Sequence, residues 1–391
     1  MFDINTEFEQ VRAEMLELYK DLHQHPELGF NEKRTSAIVA QYLKEIGLTV
    51  RTGFAQTGVT GFLKGNGAGK TILLRADMDA LPVHEETGLP YASKTAGLMH
   101  ACGHDAHTAM LLVTAKILAR NKDTLNGNVL FVFEPNEEIA GARQMIDDGA
   151  VEGHEIDACF AIHLWTPLKT GQIGLAADGV MAGMEEFHIT LKGKAGHTGA
   201  PHLSKDPILA AADLIQALQA IQTRQISPLS RTVIMVGRVQ AGTVCNAIPE
   251  TAELDGTIRF LYQNTPNGQE RPLERFKHII EKVCALHDME YDLSFVHSNK
   301  TVYNDASLIS QIRPVAEDLV GKENIVEERS LAGEDFSEFG DIAPSAFIFV
   351  GAGNEAKNTH WPHHHPKFQI DADAMNTGVK LHLSNVLSQL A

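Results

Sequence analysis

Apolar residues recur at helical spacing at Phe8, Val11, Met15, Leu16 and Tyr19, which predicts a helix over residues 5 to 23, closed by the proline of His23-Gln24-His25-Pro26-Glu27. A second helix is predicted from about Glu32 to Ile46. The period then shortens. Residues 48–51, 59–64 and 71–76 are β-rich runs bounded by turns such as Gly65-Asn66-Gly67 and predict strands. Residues 108–119, rich in Met, Leu, Val and Ile, predict a mostly buried helix with His104 and His107 at its start. Continuous apolar runs at 128–133, 158–162 and 346–350 predict core strands, the middle one ending in His163-Leu164-Trp165. This alternation predicts an α/β fold with a mixed sheet flanked by helices.

Near Gly183 the texture changes. Residues 186–192 alternate as a strand, 206–223 form a long amphipathic pattern, 232–239 and 251–260 read as strands, 273–287 as a helix and 291–296 as a strand. The order βαββαβ predicts a ferredoxin-like unit at about 183–298. The first texture returns afterwards, with a helix at 307–319 and a final helix. The expected organisation is therefore a discontinuous larger domain, 1–182 with 299–391, interrupted by the 183–298 unit.

At 391 residues the chain exceeds what one hydrophobic core serves, which agrees with more than one domain. Its 33 basic against 50 acidic residues, a net charge of −17, argue against nucleic acid or an anionic membrane as a partner. The four cysteines, Cys102, Cys159, Cys245 and Cys284, show neither CxxC pairing nor regular spacing, so a reducing, cytoplasmic setting is expected. The stretch MFDINTEFEQVRAEM lacks a basic n-region and an apolar h-region, and no run approaches the length of a membrane span, so neither an export nor a membrane signal is read.

Candidate chemistry concentrates in Met99-His100-Ala101-Cys102-Gly103-His104-Asp105-Ala106-His107. Thiolate and imidazole are preferred ligands of divalent transition metals, and Cys102 and His104 are close enough to meet on one ion. Asp77 and Asp79 follow a predicted strand at the end where open α/β sheets keep their ligands, although a solvated, helix-capping turn fits the same residues. Glu137 and Glu138 leave another strand with different side-chain directions, so one glutamate can serve a metal while its neighbour faces an attacking water; a charged loop is the plain alternative. His163 is likewise either a structural strand-end residue or a ligand. The tract His363-His364-His365 is a further metal-binding candidate.

Taken in order, LHQHPELGF (22–30), LRADMDALPV (74–83), MHACGHDAH (99–107), EPNEE (134–138), AIHLW (161–165), GKAGHTGAPH (193–202), CNAIPETAELDGTIR (245–259), AGEDFSEF (332–339) and HHPKF (364–368) resemble the M20 metallopeptidases. The likeness extends to the family's subfamily D amidohydrolases, which include hippurate hydrolases, plant auxin-conjugate hydrolases and N-acetyl-diaminopimelate deacetylases. The resemblance implies a di-metal hydrolase domain whose ligands match Cys102, His104, Glu138, His163 and His364, with Glu137 as general base. It implies an orienting role beside the metals for Asp79, an oxyanion-stabilising role for His197, and substrate contacts for Asn246, Arg259 and Glu334. His100, Asp105 and His107 are left as support. The inserted unit would act as a lid and homodimerisation domain.

The implied reaction is hydrolysis of an N-acyl amino acid, hippurate-like, to a carboxylic acid and a free amino acid, using two divalent ions. Zinc suits a thiolate ligand, and manganese, cobalt and nickel accept the same donors. An alternative within enzymes is N-acetyl-diaminopimelate deacetylation. A non-catalytic metal-binding scaffold is an alternative of another class, and it should lack Glu137 or a ligand, whereas all are present. The chain departs from the family pattern at Glu134-Pro135-Asn136, where Gln-Pro-Ala is usual, and at His197-Thr198-Gly199-Ala200-Pro201-His202, where HAAMPH is frequent. Both departures touch the surroundings of the substrate.

Overall fold

The first predicted helix is broken in two. In the computed structural model, which describes residues 2–67, 69–263 and 268–390, α1 (Ile4–Glu9) and α2 (Arg12–Gln24) meet at a turn in which Val11 donates its N–H to Phe8. The turn lets both Phe8 and Val11 bury their side chains. There follow α3 (Lys33–Glu45), β1 (Thr49–Phe54), β2 (Gly58–Lys64), β3 (Thr71–Asp77), α4 (His104–Arg120), β4 (Asn128–Glu134), α5 (Ala142–Asp147), β5 (Ala158–Lys169), β6 (Ile173–Gly174) and β7 (Asp178–Met181). The middle of the chain supplies β8 (Gly183–Lys192), β9 (Gly196–His197), α6 (Pro207–Ala220), β10 (Thr232–Ala241), β11 (Ala247–Ile248), β12 (Thr251–Phe260), α7 (Pro272–Leu286) and β13 (Glu290–Asn299). The last part contains β14 (Val302–Asn304), α8 (Ala306–Val320), β15 (Ile325–Val326), β16 (Ser345–Gly353) and α9 (Asp373–Gln389).

The described residues form two compact units, Met1–Val180 with Tyr303–Arg329 and Asp335–Ala391, and Met181–Val302 with Ser330–Glu334. The first is the α/β structure that the alternating pattern predicts. Its mixed sheet has the order β1-β2-β4-β3-β5-β16-β6-β15, parallel where β4, β3, β5 and β16 adjoin and antiparallel at β1, β2 and β6. Both faces of the central strands are covered, so β3 and β16 are buried along their whole length; β16 reads as a nearly continuous apolar run and β3 as one interrupted by Arg75. Helix α4 is buried from His104 through Ala115 and is apolar around most of its circumference, as a core helix must be.

Strand β5 runs farther than its apolar core suggests. His163, Leu164 and Trp165 keep parallel register with Phe349, Val350 and Gly351 of β16, so His163 lies within the strand rather than at its end.

The second unit contains an antiparallel sheet of order β10-β12-β8-β13. Alternate residues Phe187, Ile189, Leu191, Leu254 and Ile258 pack with Leu214 and Leu218 of α6 and with Phe276 and Ile280 of α7. A short ribbon pairs β9 with β11. No described helix is long and apolar enough to cross a membrane.

Candidate metal centre

The site is built at the ends of β3 and β4, within β5 and at the start of α4. Gly103 sits at φ 96°, a left-handed conformation that disfavours any Cβ, and it turns the chain into α4 between Cys102 and His104. This places Cys102 Sγ and a His104 ring nitrogen within 4.8 Å of each other and of His163. Cys102 Sγ and His163 Nε2 are 3.5 Å apart, and donors sharing a tetrahedral zinc lie about 3.3–3.8 Å apart. A second set, Cys102, Glu138 and His364, meets the same distance limit. The two sets share the thiol, so the five candidate ligands form interlocking groups in the first unit.

The remaining atoms of these side chains support a cation. His163 Nδ1 donates to the Leu164 carbonyl at 2.9 Å, which leaves the Nε2 lone pair facing Cys102. His104 Nδ1 is 3.1 Å from Asp79 Oδ1 and 3.0 Å from the Asp79 carbonyl, while its buried Nε2 has no hydrogen-bond partner among the described residues. Glu138 Oε1 is also buried without one, although it lies 3.2 Å from His364 Nε2. Buried polar atoms are rarely left so, and a divalent ion accounts for them together. His364 itself is held in a left-handed conformation, φ 66°, with its N–H bonded to Ala101 at 2.8 Å.

Asp79 ties two candidate ligands together: Oδ1 faces His104, and Oδ2 accepts the Glu138 N–H at 3.1 Å. His107 is excluded as a ligand, since its Nδ1 donates to Asp77 at 2.7 Å and its Nε2 accepts the Leu164 N–H at 2.9 Å. Burial pushes the Cys102 thiol well up and the His163 ring well down. Burial also opposes a charge on His104, but Asp77, Cys102 and Asp79 outweigh it and hold that ring well above its usual range.

Glu137 and Glu138 sit in a tight turn, with Asn136 and Ala140 at φ 58° and 75°. Glu137 Oε2 lies 3.9 Å from His104 Nε2. Glu32, at the start of α3, accepts the Asn136 N–H at 2.9 Å and the Thr57 hydroxyl at 2.6 Å, fixing the start of the turn. At its far end, a Cβ on Gly141 would fall 1.9 Å from the Pro135 carbonyl, so the two limbs touch.

Behind α4, His23 Nδ1 bonds Asp105 Oδ2 at 2.6 Å and Nε2 lies 3.3 Å from Glu85. Burial disfavours its charge, yet the two carboxylates raise His23 to about 9. The folded pKa thus exceeds the unfolded one. The contribution is complete below about pH 6.5, amounts to on the order of 3 kcal/mol, and is lost as pH rises toward 9. Thermal unfolding should therefore show Tm declining over that window, and a His23→Gln variant should be less stable at pH 6 and flatter. An equal decline in the variant would sink this assignment.

The remaining candidates belong to the second unit. His197 lies exposed in β9 opposite Ala247, its Nδ1 accepting the Gly199 N–H at 2.9 Å, and exposed Asn246 immediately precedes Ala247. Arg259, on β12, is half-buried and donates to the Leu331 carbonyl at 2.9 Å. Glu334 is buried in the Ser330–Glu334 segment.

Sequence reasoning did not single out Arg75, Glu32 or Asp335, and it marked Glu134 only within the Glu134-Pro135-Asn136 departure. Arg75 had a visible signal, because a charge in the middle of TILLRAD, an otherwise buried strand, has to be paired. It bonds Asp77, Glu134 and Asp335 at 2.6, 2.7 and 3.2 Å.

A family model described as peptidase family M20/M25/M40 matches residues 73–388. An N-acetylcysteine deacetylase of Bacillus subtilis is 37% identical, over 92% of this chain and 93% of its own. An IAA-amino acid hydrolase, ILR1-like 2 of Arabidopsis thaliana, is 34% identical over 96% of this chain and 85% of its own. Among solved structures, the Bacillus subtilis YXEP protein, described as a dinuclear metal binding peptidase of the M20 family, superposes with a TM-score of 0.84 at 32% identity, covering 97% of this chain and 98% of that one.

Proposed function

We propose, from the premise that this chain belongs to peptidase family M20/M25/M40 and is an amidohydrolase, that it hydrolyses N-acyl amino acids, hippurate-like conjugates among them, to a carboxylic acid and a free amino acid. The observation that carries the reading is the pair of donor sets sharing Cys102, with Glu137 beside them. Two relatives support the substrate class, since one is named for an N-acetyl amino acid and the other for an IAA-amino acid.

In this reading Cys102, His104, Glu138, His163 and His364 hold two divalent ions, zinc foremost, with manganese, cobalt and nickel compatible. Such ions supply Lewis acidity to the amide carbonyl and to water. Glu137 takes a proton from the attacking water as the C–O bond forms and delivers it to the amine nitrogen as the C–N bond breaks. Asp79 holds the His104 ring and the Glu138 backbone in place. His197 stabilises the oxyanion, and Asn246, Arg259 and Glu334 position substrate, Arg259 pairing with the α-carboxylate.

Hydrolysis of N-benzoyl, N-acetyl, indole-acetyl and p-aminobenzoyl amino acids, measured after reconstitution with each metal, tests this. Arg259→Ala is expected to raise KM more than it lowers kcat, by about tenfold or more. Absence of turnover on every conjugate with every metal would overturn the reading.

The 183–298 region serves as lid and homodimer contact in this proposal. Exposed apolar residues Ile208 and Leu209 on α6 and Met235 and Val239 on edge strand β10 support it. A single monomer species in sedimentation velocity would exclude the dimer. The free cysteines Cys102, Cys159, Cys245 and Cys284 accord with a cytoplasmic setting, which fractionation of the source cells would check.

A further inference from the structure

We propose that Glu134 and Asp335 hold one proton between them and, with Arg75, clamp the base of the loop that carries Glu137 and Glu138, which makes both of them positioning residues for that loop. The inference rests on the reading of Glu138 as a metal ligand.

The loop runs from Glu134, the last residue of β4, to Ala142, the first of α5. Asp335 grips both ends. Its Oδ2 accepts the Ala142 N–H at 2.9 Å, and its Oδ1 shares the Arg75 fork with Glu134 Oε2. Arg75 spans the same two carboxyls, donating from Nε to Glu134 Oε2 and from Nη2 to Asp335 Oδ1. The other Glu134 oxygen, Oε1, is buried and meets no N–H or hydroxyl among the described residues.

An ionised carboxylate only accepts hydrogen bonds, so two of them facing each other repel. Their seats on neighbouring N–H groups of one guanidinium therefore favour a proton between them. The charged and titratable groups around the pair lead to the same result. Arg75 and Asp77 face it from β3, Glu137 from the loop, and Arg75 is already bonded to Asp77. Arg75 brings one positive charge to the three buried carboxyls it bonds, and His107 bonds only Asp77 among them. Burial accordingly pushes both Glu134 and Asp335 upward, and the Glu134 and Glu137 carboxyls add to the rise on Asp335.

A protonated Glu134 at this place has the shape and neutrality of glutamine. The proton thus lets a glutamate occupy it without forcing the loop open. Because the loop contains Glu138, a broken clamp is expected to show first in metal affinity.

Infrared spectra of the full chain at about pH 8, where Glu32, pushed up to about 7, is mostly ionised, should contain a protonated-carboxyl band that shifts in D2O. The band should vanish in both Glu134→Gln and Asp335→Asn, in which an amide replaces the shared proton. Chelator competition with Zn2+ alone should show Glu134→Ala weakened by about 10- to 100-fold, with Glu134→Gln recovering most of that loss. The infrared arm uses only isosteric variants, so it stands even where Glu134→Ala does not fold. A wild-type spectrum without the band, a band unchanged in both isosteric variants, or a Glu134→Gln protein that binds Zn2+ as weakly as a folded Glu134→Ala would each overturn the clamp. None of these measurements uses a substrate, so failure of the N-acyl amino acid reading would show in the hydrolysis panel and not here.

Discussion

Replacing Glu137 with glutamine is expected to lower kcat about a hundred- to ten-thousandfold while KM and metal content stay close to wild type. The expectation follows from the division of labour between adjacent glutamates. Glu138 belongs to the donor set with Cys102 and His364, its N–H is fixed by Asp79, and its Oε1 is buried without a hydrogen-bond partner. Glu137 reaches to 3.9 Å from His104 Nε2, beyond hydrogen-bond range, and is the glutamate proposed to serve the water. Glutamine keeps the size of the side chain and removes its ability to take a proton. Metal analysis separates the roles, because His104, Glu137 and Glu138 also lie close enough to share an ion. A Glu137→Gln protein that has lost metal would make Glu137 a ligand, and one that retains appreciable turnover would end its assignment as base.

How much of this was legible in the sequence depends on range. The α/β alternation, the buried strands and most helices were readable because they rest on local periodicity, and strand β3 delivers Asp77 and Asp79 where the pattern placed them. Periodicity could not show the break between α1 and α2, because Phe8 and Val11 continue a helical stripe while the chain turns to bury both. Nor could it show the extent of β5, which is set by pairing with β16 nearly two hundred positions along the chain. At the site, thiol, imidazole and carboxylate announce themselves by chemical type. The contacts that hold them do not: Arg75 reaches Asp335 across 260 positions and Glu32 reaches Asn136 across 104, and no local pattern encodes either partner. The left-handed turns at Asn136, Ala140 and His364 were equally invisible, since none is a glycine.

Exhaustive removal of divalent metal should abolish hydrolysis and lower Tm on the order of 10 °C relative to protein held at about a thousand times Kd of the ion. Both effects should reverse on adding Zn2+, Mn2+, Co2+ or Ni2+. The donors explain the size of the stability effect. Cys102, His104 and His163 are buried, so they cannot recover full hydration when no ion engages them, and each then favours whatever protonation state its surroundings dictate. A bound cation would reverse that preference for the thiol and would engage His104 Nε2 and Glu138 Oε1, which have no hydrogen-bond partner among the described residues. The shared position of Cys102 makes it the discriminating variant. Cys102→Ser replaces a soft donor by a hard one in both sets at once, so Zn2+ affinity should fall more than Mn2+ affinity. Activity that survives complete chelation would remove the metal from the reaction, and equal losses for the two ions in Cys102→Ser would remove the thiolate from the metals.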